Sequence, residues 1–240
     1  MKNQKDGQKK SSISPKIELM VLEEPIDFQT QIDYLEYSHS FDMGELTEEQ
    51  TIHLGGLLSG NEMPVEHKKK ALAILAHLGT LTALREIEKF YPQADKELKS
   101  WSALALQECK MFLGGELADM ETCFISSGLG GLKNRSRYYF FVIPLEGKLF
   151  TITQKNVIRD EVNLVAKELR SLVESFDLSD TYVGFKTLMP PDIAVATLME
   201  TAIKKCNELG EFVFEYYYAT NADIPNEAEI EDIIQIIRSD

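Results

Sequence analysis

The segment Ser126–Arg137, SSGLGGLKNRSR, comes closest to a chemical motif. Gly128, Gly130 and Gly131 can turn backbone N–H groups toward an anion, and Lys133, Arg135 and Arg137 add positive charge. That is the chemistry of a phosphate cradle when a helix comes next. The next residues in this chain are RYYFFVIPL, 137–145, whose aromatic and β-branched content reads as a strand. The dinucleotide fingerprint and the P-loop, which also needs a terminal GK[ST], are therefore unmet. The segment reads as a hairpin loop whose glycines permit positive φ, with a second reading in which the same six residues also hold a small anion or an acidic partner.

Other chemistries lack their spacing. Ser126 and Ser127 precede the glycines without a GxSxG elbow, and the histidines, His39, His53, His67 and His77, all lie in the N-terminal part. His67 and His77 form no HxxxH or HExxH pair, and Cys109, Cys123 and Cys206 form no CxxC, so no metal, cofactor or disulfide framework is expected. The acidic run over residues 21–50 lacks the calcium-loop pattern and reads as a solvated surface. Tyr138–Phe141 and Phe212–Tyr218 could stack bases on an open sheet, but a basic frame is missing and core packing is the better reading. Tyr138 and Tyr217, at opposite parity to the phenylalanines expected inside, are the aromatics to look for at the surface. No catalytic acid, base or nucleophile is identified.

The chain has 240 residues with 39 acids against 25 bases, a net charge of −14. Such a charge opposes non-specific binding to nucleic acid or anionic membrane, so neither is expected as a partner. A hydrophobic share of 44% is too high for general disorder. No run reaches the 18 or so apolar residues of a membrane span, the N-terminus carries no signal sequence, and sparse cysteines fit a reducing cytoplasm.

These residues need elements to position them. Residues 1–16 read as a disordered Lys-rich tail and 17–45 as an irregular acidic segment. From Thr47 the chain reads as four amphipathic helices, stopped by glycines or Pro92, making a helical domain over 46–114. Lys70–Ala73 (KALA) and Ser102–Ala105 (SALA) recur in its longer helices. On these residues the block resembles a HEAT-like helical repeat, which implies a concave surface for a protein or peptide; a four-helix bundle is the alternative. Over 115–240 the period changes to two. Strands are expected at 122–127, 137–145, 148–154, 181–190 and 212–220. Helices are expected over a stripe from Val162 to Phe176, from Pro190 to Gly210, and after Asn226.

The expected fold is α+β: a helical block and then a mixed-sheet sandwich in the order β-β-β-α-β-α-β-α, with a ferredoxin-like layout as one arrangement. The expected function is a non-enzymatic protein-binding adaptor, with an anion-binding α+β domain as the alternative.

Overall fold

A computed structural model describes residues 16–40, 44, 46–60, 63–117, 120–145 and 148–239. The expected tail, residues 1–15 of it, lies outside the described residues. The fold is α+β. Among the described residues no helix is long and apolar enough to cross a membrane.

The N-terminal half is helical, with one strand leading into it: β1 (Lys16–Val21), α1 (Phe28–Ser38), α2 (Glu48–Leu58), α3 (Val65–Leu78), α4 (Leu81–Phe90) and α5 (Lys96–Leu117). Helix starts here come from local chemistry. Asp27, Thr47 and Thr80 accept N–H bonds from the first turns of α1, α2 and α4, and Thr47 completes a reciprocal capping box with Gln50. Helix α3 packs along α5 and α2 along α4, around Leu58, Leu72, Leu75, Ile87, Leu98 and Trp101. Leu22, Ile26 and Tyr34 belong to the same core, so the chain from Leu22 through α1 packs as part of it. The block stops at two stacked pairs and shares its core with the chain leaving β1, so it is no free-standing repeat.

The second half contains β2 (Met120–Ile125), β3 (Ser136–Pro144), α6 (Ile152–Glu168), β4 (Leu172–Leu178), β5 (Val183–Met189), α7 (Val195–Glu208), β6 (Val213–Thr220) and α8 (Glu227–Ser239). Strand β2 pairs in parallel with β1 and so ties the two halves together. The four others form one sheet in the order β4-β5-β3-β6, with every hydrogen-bonded neighbour antiparallel. Counted from β3, this βαββαβ order is the ferredoxin-like arrangement.

The expected element order is corrected in two places. Residues 148–151 form no strand, because Thr151 and Gln154 close a capping box that starts α6. The expected long helix ends at Glu168, and Leu172, Val173 and Phe176 belong to β4.

The central strands β3 and β5 are buried on both sides. Phe140, Val142, Phe185 and Val213 pack under α6 and α7, while Tyr139, Phe141, Ile143 and Tyr182 pack under α8 through Ile230 and Ile234. Fully buried Phe140, Phe141 and Phe185 each contribute about 1.5–3 kcal/mol by leaving water.

Candidate metal centre

The glycine and arginine loop builds a joint between the halves. Gly131 N–H donates to the Glu23 carbonyl, and Lys133 N–H donates to Glu23 Oε1 at 2.7 Å. Asn134 accepts the Val21 N–H at 2.7 Å and donates to the Leu19 carbonyl, so one amide seals the edge of β1. Gly130 sits at φ +64, where a Cβ would collide with the Glu23 carbonyl oxygen, and Gly128 lies against Ala222.

The basic side chains do not converge. Lys133 is exposed, and Arg135 Nε donates to the Arg170 carbonyl at 3.2 Å. Arg137 forms a two-pronged pair with Glu174 at 2.6 and 2.9 Å and also donates to the Leu129 carbonyl. This pairing holds the Glu174 carboxyl below its usual range. Gly131 and Arg137 do border a cleft of about 960 Å³ between the halves, but its wall also carries Glu23, Glu24 and Glu88, with Tyr91 donating to Glu24 at 2.8 Å. Arg137 is paired with Glu174, and Lys110 faces the cleft alongside the three acids.

Of the aromatics singled out by parity, Tyr138 and Tyr217 pack partly buried against the α6–α7 core. The exposed one is Tyr216.

The grouping with metal-ligand chemistry lies in the helical half. His39 caps the C-terminus of α1, His77 lies in the last turn of α3, and Glu108 lies in α5; one ligand atom from each falls within 4.8 Å of the others. The imidazole centroids are 5.8 Å apart and nearly perpendicular at 84°. The surroundings fix all three. His39 Nδ1 lies 2.8 Å from the Leu35 carbonyl and His77 Nδ1 lies 3.1 Å from the Ala73 carbonyl, each one helical turn back. Donating to those oxygens leaves a lone pair on the other ring nitrogen, the arrangement that ligating histidines use. Phe112 lies beside His77 with ring centroids 5.2 Å apart and the planes tilted by 40°.

Glu108 is only 5% exposed, and a carboxylate there needs partners. Tyr34 donates to Glu108 Oε2 at 2.5 Å, and His77 Nδ1 lies 3.6 Å from the same oxygen. Burial, together with the Glu108 charge, pushes the Tyr34 hydroxyl well above its ordinary value, so Tyr34 stays a neutral donor. Cys109, the next residue, points away with Sγ toward the Thr80 carbonyl, and burial raises its thiol to about 11. His53 and His67 are exposed elsewhere on the helices.

Spacing missed this group because its members are tens of residues apart and come from three helices. One signal was legible: Glu108 falls on the apolar stripe of α5, one turn beyond Leu104 and two beyond Trp101.

No protein-family model and no curated protein matches the sequence. Among solved structures, one titled as a REP-associated tyrosine transposase bound to a REP hairpin is similar over 42% of this chain and 63% of its own, at 10% identity and a TM-score of 0.33. A putative transposase from Deinococcus radiodurans R1 is similar over 44% of this chain and 90% of its own, at 12% identity and a TM-score of 0.34. Both comparisons are with transposases, one of them bound to a REP hairpin, where a non-enzymatic adaptor, a HEAT-like repeat with a protein or peptide partner, and no nucleic acid were expected; those expectations are withdrawn.

Proposed function

We propose that this protein binds a divalent first-row transition metal, zinc by ligand type, through His39, His77 and Glu108. The observation that supports this is the approach of three ligand atoms to within 4.8 Å, two from imidazoles with backbone-anchored Nδ1 atoms and one from a buried carboxylate. Two imidazoles and a carboxylate are a donor set for zinc and for non-haem iron, with zinc–ligand distances of about 2.0–2.2 Å.

Three protein ligands leave coordination positions on the His39 side, which faces solvent. A metal held in this way would supply Lewis-acid chemistry, while the chain's part is to orient the ligands. Tyr34 does so for Glu108 through its hydrogen bond. We keep the division near residue 115 and a reducing cytoplasmic setting as parts of the same proposal.

Zinc titration against a chromophoric chelator tests it. Wild type should take up one equivalent with affinity falling as the buffer is acidified, and His39→Ala and His77→Ala should each lose at least tenfold. Equal uptake by wild type and the double variant would contradict the assignment. Because one structural neighbour is titled as bound to a REP hairpin, a hairpin oligonucleotide belongs in a parallel arm with and without zinc.

A further inference from the structure

The α8 face of the sheet holds a second feature that no metal chemistry uses. Tyr139 is 4% exposed, and its hydroxyl is buried without a hydrogen-bond partner among the described residues. Leaving a buried hydroxyl unpaired costs on the order of 1–3 kcal/mol, so the group asks for an occupant. The strand register explains where it lies. Tyr139 pairs with Lys186 on β5, and the next same-face position of β5 is Gly184, which itself faces Asp177 on β4. The phenol leans across Gly184, where any Cβ would collide with the hydroxyl oxygen.

Tyr139 also lines a pocket of about 470 Å³, its hydroxyl buried beneath the surface, and the wall includes Asp177, Tyr182, Lys186 and Glu227, with the start of α8 at its rim. One oxygen of Asp177 is taken by the Tyr182 hydroxyl at 2.6 Å, and its other oxygen carries no described bond. The Asn226 side chain caps Ala228 and Glu229, so the first turn of α8 is already satisfied and the recognition falls to side chains. Burial, with Asp177 adding to it, raises the Tyr139 hydroxyl to about 12, which keeps it a donor at neutral pH.

Two signs of charge therefore share one small pocket. A neutral phenol and the Lys186 ammonium offer donors to a carboxylate, while Asp177 and Glu227 offer acceptors to an ammonium group. We propose that this pocket binds a small zwitterion of the free α-amino-acid class, its carboxylate on Tyr139 and Lys186 and its ammonium on Asp177 and Glu227. The volume of about 470 Å³ accommodates a molecule of that size.

The test is ligand-observed NMR and calorimetry with the twenty L-amino acids as probes, run in excess chelator so that the result is independent of the metal reading. At least one amino acid should bind saturably. Tyr139→Phe should weaken it tenfold or more with the melting temperature unchanged or raised, since the variant removes only an unpaired hydroxyl, and Asp177→Asn should weaken it as well. Three results would overturn the proposal: no saturable binding, equal binding by wild type and Tyr139→Phe, or a fall in melting temperature of Tyr139→Phe without any binding, which would mark a structural water as the only occupant.

Discussion

Glu108 is the decisive side chain at the scale of residues, because a buried carboxylate among helices needs a reason. Tyr34→Phe leaves its charge with one partner fewer. We expect a stability loss of about 1–3 kcal/mol by urea unfolding and, since Tyr34 orients a ligand, a drop in zinc affinity of roughly 10–100-fold. Glu108→Gln keeps an acceptor for Tyr34 and should lose metal while staying folded by circular dichroism. Arg137 and Glu174 give a different test. The folded carboxyl of Glu174 lies below its unfolded value, so the pair stabilises the fold above the ordinary carboxylate range, and that contribution fades as the pH falls through the depressed value. Arg137→Met should therefore lower the urea midpoint at neutral pH, and by progressively less as the pH falls below the ordinary carboxylate range. Both arginines of the loop were legible in the sequence as a basic island. Their partners, Glu174 and the Arg170 carbonyl, were not, because each lies on or beside β4, the strand that the sequence hid inside a helix.

That hidden strand belongs to the scale of elements. Val173 and Phe176 stand three apart, which mimics helical spacing, yet both pack toward the α6–α7 core. A bulge between Val173 and Ser175 shifts the register by one and puts both on the same face. Period counting cannot separate such a bulged strand from the end of a helix. Conversely β3, β5, β6 and α8 were legible, since Asn226 caps α8 as its residue type predicts and aromatic content marks the strands. The loop makes a prediction here as well. Asn134 holds β1 through two bonds at φ 57, a conformation that asparagine tolerates and alanine does not. Asn134→Ala should speed amide exchange of Val21 at least tenfold while leaving the β3–β5 pairing protected. Uniform exchange across both would mean that β1 is held by other contacts.

Across the whole molecule, the helical half carries the proposed metal ligands and the sheet half carries the Tyr139 pocket, with β1, β2 and the glycine loop joining them. The α+β class was legible because periods of three to four and of two dominate different halves of the chain. The metal centre was not, because only tertiary packing brings α1, α3 and α5 to one point. Zinc at about a hundred times its dissociation constant should add about 2.7 kcal/mol of stability, which for a chain of this size raises the melting temperature by several degrees, with the rise removed by chelator. The most direct measurement is an anomalous-difference map from crystals grown with zinc and recorded at the zinc edge. A three-ligand centre predicts a peak about 2.0–2.2 Å from a nitrogen of His39, a nitrogen of His77 and an oxygen of Glu108; a map with no peak there, or with zinc bound only elsewhere, would contradict it.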